Sequence, residues 1–166
     1  VKLVSSDSKE FPVEPKVAKL SKTVATLMEA LNMDDDADSD VFDRNPIPLP
    51  NVEADVLEKV IEWCEKHKDD PAPAEEKEEE ENHDVPECDK EYLKVRWDVE
   101  QKMLFGLMVA SNYMEIKGLM DSVAKYIASM IRGKTTEQIR ATFNIVNDFT
   151  PEEEEKIRRD NAWCDE

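Results

Sequence analysis

The sequence predicts an α/β (α+β) fold that is mostly helical and carries one small β-sheet in its N-terminal half. Apolar residues recur every three to four positions in several segments after residue 21, which is the spacing of amphipathic helices. Short runs of alternating apolar and polar residues near the N-terminus indicate β-strands instead. At 166 residues the chain is long enough to build one hydrophobic core without disulfides.

The N-terminal segment predicts a β-hairpin followed by two helices. Residues 1–5 and 11–13 are the alternating runs, and they flank a polar turn with the sequence SDSK. Pro15 opens a short helix that reaches about Leu20. The next helix is indicated by an apolar face at the spacing i, i+3, i+4 and i+7, which consists of Val24, Leu27, Met28 and Leu31.

A short edge strand and a longer helix are predicted next. Ile47 and Leu49 alternate with three prolines, and proline is tolerated at the edge of a sheet. Asn51 is predicted to cap the helix that follows. The apolar stripe of this helix consists of Val56, Leu57, Val60, Ile61 and Cys64.

Three further helices are predicted before the C-terminal tail. A short helix is expected around Asp89 to Lys94. The apolar face of the second consists of Val99, Met103, Leu104, Leu107, Met108 and Ser111. The face of the third consists of Ile116, Leu119, Met120, Val123, Ile127 and Ile131. Gly133 is expected to end this third helix, because glycine adopts the left-handed conformation that follows many helices.

The tail from Lys134 onward predicts two short helices with clear start signals and few apolar residues. Thr135 with Gln138 forms one capping box, and Thr150 with Glu153 forms a second. The apolar residues are Ile139, Phe143, Ile145, Val146, Phe149, Ile157 and Trp163. So small a set cannot build a core alone, so the tail must pack on its own domain or present these residues to a partner.

Most of the net charge of −18 lies in two segments that are expected to be loops. Residues 34–44 carry a net charge of −5 and residues 69–91 carry −10. The second segment is charged, contains prolines and begins as a linker that we expect to be disordered. Because contacts to nucleic-acid phosphates need clustered Lys and Arg, the charge disfavours a nucleic-acid partner. Three irregularly spaced cysteines and the lack of a long apolar run indicate reduced thiols and no membrane span.

No pattern of catalytic or metal-binding residues reaches the specificity that a site requires. The three glycines are scattered, which excludes phosphate-binding loops that need closely spaced glycines. Cys64 and His67 form one C-x-x-H pair, with His83 and Cys88 downstream, but structural zinc sites usually need two close pairs. Cys64 is therefore expected to be a buried small apolar residue, and we expect no metal, no cofactor and no enzymatic activity.

Long stretches of the chain resemble one known family. SNYMEIKGLMD (111–121) and MIRGKTTEQIRATFNIVNDFTPEEEEKIRRDNAWC (130–164) are similar to the S-phase kinase-associated protein 1 family, as are PLPNVEADVLEKVIEWCEKHKDDP (48–71) and the N-terminal SSDSKEFPVE. These proteins are adaptors of SCF-type cullin–RING ubiquitin ligases. The resemblance implies a BTB/POZ fold over residues 1–131, with an acidic disordered linker at about 68–88, and a C-terminal F-box-binding helical extension over 132–166.

The resemblance also implies partners, binding residues and a compartment. The partners are F-box proteins and a cullin scaffold, in the cytoplasm and the nucleus. The implied cullin-binding residues are Asn112 and Tyr113. The implied F-box-binding residues are Leu119, Val123, Ile127, Phe143, Ile145, Ile157, Asn161, Trp163 and Cys164.

A second function stays open beside the adaptor role. The apolar C-terminal surface could drive formation of a homodimer, or assembly into a complex that is not a ligase, when no F-box protein is bound. The chain departs from the family pattern at Cys88, at Gly106 and within 96–103, which precede the predicted cullin-binding pair. Weaker cullin binding would leave the chain free for this second role.

Overall fold

The computed structural model of the chain describes residues 1–31, 46–70, 84–97 and 101–164, with backbone alone at 94–97, 101 and 164. The predicted Asp-rich loop, most of the predicted linker and Val99 lie outside these residues. The chain divides into two compact units, Val1–Met130 and Ile131–Glu166, which are described separately below. No helix in the described part of the chain is long and apolar enough to cross a membrane.

The sheet of the first unit has three short strands in the order β2-β1-β3. Strands β1 (Lys2–Val4) and β2 (Glu10–Pro12) pair antiparallel, which confirms the predicted hairpin. Strand β3 (Ile47–Pro48) pairs parallel to β1 and lies at the sheet edge, as its prolines predict. Leu3 at the centre of β1 is buried between its partners and contributes to the core.

Helices α1 (Pro15–Ala18) and α2 (Lys22–Ala30) follow the hairpin as predicted. Ser21 caps α2, because its hydroxyl accepts a hydrogen bond from the Val24 amide at 3.2 Å. Only half of the predicted apolar face of α2 reaches the core. Val24 and Met28 are buried, whereas Leu27 and Leu31 are exposed.

The long helix α3 (Ala54–His67) begins differently from the prediction. Asn51 does not cap it, because the helix starts later, with Glu53 at the cap position and no side-chain bond from that residue. The backbone N–H of Ala54 instead donates to Oδ1 of Asp7 at 2.9 Å. A carboxylate from the hairpin turn therefore satisfies one free amide of the helix start and ties the sheet to α3.

The core of the first unit is completed by helices α4 (Glu87–Trp97), α5 (Gln101–Tyr113) and α6 (Lys117–Ile131). The fully buried large side chains of the unit are Leu3, Val24, Met28, Ile47, Leu49, Val52, Leu57, Leu93, Leu104, Leu107 and Leu119. Val85 is buried and α4 begins at Glu87, so the predicted linker extends too far at its C-terminal end.

Two glycines position the ends and contacts of these helices. Gly133 has a φ of +71° just after α6, which confirms the predicted helix stop. Gly106 of α5 lies so close to α3 that an added Cβ would stand 2.9 Å from Cγ2 of Val56. The absence of a side chain at position 106 thus permits the close approach of α3 and α5.

The second unit contains helix α7 (Thr136–Phe143), helix α8 (Pro151–Asp160) and a short 3₁₀ turn at Ala162–Cys164. Both predicted capping boxes are present, one at Thr135 and Gln138 and one at Thr150 and Glu153. No residue from 131 to 163 is buried. The unit has well-capped helices without a core, which confirms the shortage of apolar residues predicted from the sequence.

Candidate functional site

Large apolar side chains of the second unit are exposed to solvent. Trp163 is 73% exposed, Ile145 is 54% exposed and Ile157 is 43% exposed. Phe149 and Val146 are exposed as well. Exposed apolar side chains so close together in the chain are unusual for a surface that stays in water, and such clusters mark sites of protein association. We call Ile145, Phe149, Ile157 and Trp163 the tail surface.

Polar contacts hold α7 and α8 together. Nη1 of Arg140 in α7 lies 3.0 Å from Oε1 of Glu154 in α8. The Asn147 side-chain amide donates to the same oxygen at 2.8 Å. These two hydrogen bonds, that from Arg140 first, hold the pKa of the Glu154 carboxyl below its ordinary value. The Arg140 guanidinium also lies 5.8 Å from the centre of the Phe149 ring.

A groove of about 550 Å³ lies between α7 and α8. Phe149 and Ile157 give its lining an apolar part, and Asn161 stands among the lining residues. The Asn161 side-chain amide donates to the carbonyl oxygen of Ile157 at 2.8 Å and thereby closes the last turn of α8. Arg140, Arg158, Glu137 and Glu154 also line the groove and bring charges of both signs to it. Protein interfaces commonly combine apolar area with polar and charged groups in this way.

The first unit carries a second exposed apolar surface on helix α5. Val109 is 62% exposed and Phe105 is 44% exposed, and Asn112 is exposed one turn further along. Positions 105, 109 and 112 share one helix face, because residues three and four apart are neighbours. We call these three residues the α5 surface. A smaller hollow of about 260 Å³, lined partly by Phe105 and Val109, lies beside it.

The backbone at the end of α5 is fixed by side chains of α2 and its cap. The Thr23 hydroxyl donates to the Tyr113 carbonyl oxygen at 3.0 Å. The Ser21 hydroxyl donates to the Met114 carbonyl oxygen at 2.5 Å. Tyr113 is half-buried and packs against the core, whereas Asn112 points its exposed side chain outward. These two hydrogen bonds tie the end of the helix that carries the α5 surface to α2 and its cap.

Comparisons with known proteins cover both units. Residues 117–164 match the model of the Skp1 family, dimerisation domain, and residues 1–69 match that of the Skp1 family, tetramerisation domain. The chain is 46% identical over 168 aligned residues to a Skp1-related protein of Caenorhabditis elegans, with all of this chain and 92% of the relative covered.

The chain belongs to the Skp1 family. It is also 46% identical to two proteins of Dictyostelium discoideum, the SCF ubiquitin ligase complex proteins SKP1a and SKP1b. All of this chain and 96% of each of these relatives are covered. The match over residues 1–69 is to the family's POZ domain, which confirms the predicted BTB/POZ fold with its small sheet.

The predicted F-box-binding residues of this Skp1-family chain fall into two groups. Ile145, Ile157, Asn161 and Trp163 are exposed in the second unit, where Phe143 is half-buried. Leu119 and Val123 have no exposed surface and pack in the core of the first unit. Because a side chain without exposed surface cannot contact a partner, we assign these two residues to the core.

The remaining predicted positions are less exposed or less fully described. Ile127 is half-buried and packs against the core of the first unit. The side chain of Cys164 lies outside the described part of the structure. Phe105 and Val109 are exposed apolar residues that the sequence reasoning did not include among the binding residues, because their positions on a helix face gave no signal that they would be left uncovered. Phe149 is exposed as well, and the sequence named it only among the apolar residues of the tail.

The sequence reasoning also missed a buried polar cluster between α3, α4 and α6. Trp63, His67 and Ser122 each place a side-chain atom within 3.0 Å of the Asp89 carboxylate. Cys64, one turn before His67 on α3, is buried as predicted, and desolvation raises the pKa of its thiol to about 12. Cys64 therefore behaves as a small apolar core residue and not as a metal ligand.

Proposed function

We propose that this chain is the adaptor subunit of an SCF-type ubiquitin ligase, and that it binds an F-box protein through the tail surface and a cullin through the α5 surface. Its membership of the Skp1 family and its similarity to two SCF ubiquitin ligase complex proteins support the role. An adaptor needs two separate binding surfaces and no reacting groups, so we propose no catalytic activity for it.

The observation that carries the proposal is that the second unit has capped helices but no buried apolar side chains among its described residues. Its two helices are fully capped, yet none of its described residues is buried. Capping satisfies backbone amides, but tertiary burial of apolar surface supplies most of the stability of short helices. A partner that covers Ile157, Phe149 and Trp163 would supply this missing burial. An amphipathic segment of an F-box protein is the partner that the family resemblance implies.

The α5 surface is suited to a second partner. Val109 and Phe105 offer apolar area, and Asn112 offers amide hydrogen bonds beside them. The half-buried Tyr113 supports the face from within, so a substitution at Tyr113 would disturb the core as well as the surface. Val109 and Asn112 are therefore the better positions for a test.

The test pairs two variants with two partners. In one variant Val109→Lys and Asn112→Lys place two charges on the α5 surface, which a cullin would have to bury without a partner. In the other, Ile157→Lys places a charge on the tail surface. We expect the first variant to lose cullin binding and keep F-box binding, and the second to show the reverse. Loss of both partners in one folded variant would contradict separate surfaces.

A second candidate function is self-association through the tail surface. The match of residues 117–164 to the family's dimerisation domain favours it, as does the exposure of the apolar side chains. Sedimentation of the isolated chain over a concentration series tests it. We expect a dimer that an F-box domain converts to a one-to-one complex. A chain that stays monomeric at every concentration would eliminate this candidate.

A further inference from the structure

Three potential metal ligands meet at the junction of α3 and α4 in the first unit. His67 is the last residue of α3, and Cys88 and Asp89 lie in the first turn of α4. One ligand atom from each of these residues lies within 4.8 Å of the other two. The separation along the chain explains why the sequence pattern, read around Cys64, predicted no metal. In the folded chain the thiol that lies near His67 and Asp89 belongs to Cys88 and not to Cys64.

The imidazole of His67 faces a carboxylate at both of its nitrogens. Nδ1 lies 2.5 Å from Oδ2 of Asp70, and Nε2 lies 2.9 Å from Oδ1 of Asp89. A neutral imidazole carries one N–H, so it can donate to only one of the two carboxylates. With the Nδ1–H donated to Asp70, Nε2 presents its lone pair beside Oδ1 of Asp89. These two atoms are then placed to bind one cation together.

The carboxylate of Asp89 is held in position by donors on its other sides. It is buried, with Nε1–H of Trp63 donating to Oδ1 at 2.9 Å and the Ser122 hydroxyl donating to Oδ2 at 2.5 Å. A carboxylate oxygen accepts two hydrogen bonds, so Oδ1 can keep the indole donor and bind a metal in place of the imidazole proton. The Trp63 ring also stacks on His67 at 4.0 Å, which fixes the plane of the imidazole.

The cluster opens onto a cavity of about 470 Å³ that His67, Cys88 and Asp89 all line. Cys88 is exposed, so its sulfur can approach an ion that enters from solvent. The first turn of a helix also favours the negative charge of a thiolate. Among the charged residues around the cavity, Asp70, Glu115 and Asp121 outnumber the two lysines even without Asp89. Both the space and the charge thus suit a cation with one bound water.

We infer that His67, Cys88 and Asp89 bind a divalent transition-metal ion of the zinc class. Imidazole, thiolate and carboxylate are the ligand types that zinc takes, whereas magnesium and calcium prefer oxygen ligands alone. Three protein ligands leave a fourth tetrahedral position for a water from the cavity. Asp70 is a positioning residue, because a carboxylate on the second nitrogen orients many metal-binding histidines. The ion would join the end of α3 to the start of α4.

The first experiment titrates the full chain with cobalt(II), a coloured substitute for zinc, in excess magnesium that occupies the acidic segments. A cobalt–thiolate absorption band at one equivalent is the expected result. The band should vanish in Cys88→Ser and persist in Cys164→Ser, which makes the same change at a thiol of the second unit. No band in the unaltered chain, or a band that survives Cys88→Ser, would overturn the inference.

The second experiment compares two neighbouring aspartates on one turn. Asp70→Asn removes the positioning carboxylate and should weaken zinc binding about 10- to 100-fold in a competition assay with a chelating dye. Asp69→Asn removes the same charge one residue away, where the carboxylate pairs with Lys16 at 2.5 Å, and should leave the affinity unchanged. Both side chains are exposed, so both variants are expected to fold. Equal weakening by both would show unspecific attraction to acidic residues and would contradict the site.

Discussion

Replacing Trp163 by alanine should weaken the binding of an F-box domain strongly without affecting the fold. The indole is 73% exposed, so a partner can bury about 180 Å² of it, taking roughly 250 Å² as its full surface. At about 25 cal/mol per Å² this area corresponds to an upper limit of about 4.5 kcal/mol. Alanine keeps some of the contact and binding orders the ring, so we expect a loss of about 2–4 kcal/mol, or about 30- to 700-fold in Kd.

Isothermal titration of a purified F-box domain into the chain measures this loss. Val146→Ala is the matched control, because Val146 is 82% exposed in the same unit but is not among the F-box-binding residues that the family resemblance implies. Its Kd should change by less than about threefold, as expected for an energetically neutral position. Both variants should keep the denaturation midpoint of the unaltered chain. An unchanged Kd for Trp163→Ala, or equal losses in the two variants, would refute the reasoning.

Three further predictions concern the stability of the fold. Asp89→Ala leaves two buried side-chain donors, Trp63 Nε1–H and the Ser122 hydroxyl, without their acceptor. It should lower the free energy of unfolding by about 3–5 kcal/mol in urea titrations, and a loss below about 1 kcal/mol would show that the donors find other partners. The Thr150 amide, then its hydroxyl, hold the pKa of Glu153 below its ordinary value of 4.5. Because the pKa of Glu153 is lowered in the folded state, its ionised carboxylate stabilises the start of α8 above pH 4.5, and this contribution is lost as the pH falls below that value. The amides at the N-terminus of α8 should then lose protection against hydrogen exchange, measured by NMR. Unchanged protection down to about pH 2 would contradict the capping box. Gly106→Ala should lower the free energy of unfolding by about 1 kcal/mol, because the clash with Val56 outweighs the better helix propensity of alanine. Adding Val56→Ala to this variant should remove the part of the loss that comes from the clash. A Gly106→Ala variant that is more stable than the unaltered chain would contradict the close approach.

Features encoded within a few neighbouring residues could be predicted from the sequence. A capping box needs only a threonine and a glutamine or glutamate three positions later, so the first residue of both tail helices could be predicted. The hairpin, the proline-rich edge strand and the stop at Gly133 are local in the same sense. The shortage of apolar residues in the tail could also be counted directly from the sequence.

Features that depend on residues far apart in the chain could not be predicted. The amide of Ala54 is satisfied by Asp7, which lies 47 positions away, whereas the residues near the helix start indicate Asn51 as the cap. The Asp89 cluster likewise joins three helices. Apolar spacing shows that one face of a helix is covered, but it does not show whether the core or a partner covers it. The family resemblance implies a partner contact for Leu119, although its side chain is fully buried in the core.

The most direct test of the adaptor role is a reconstitution with an F-box domain and the N-terminal region of a cullin. Light scattering on the mixture, separated by size, gives the mass and stoichiometry of each complex. Two separate surfaces predict one complex that contains one copy of each of the three chains, and no complex of F-box domain with cullin when the adaptor is left out. Binary complexes alone, in which the F-box domain displaces the cullin from the chain, would contradict the account.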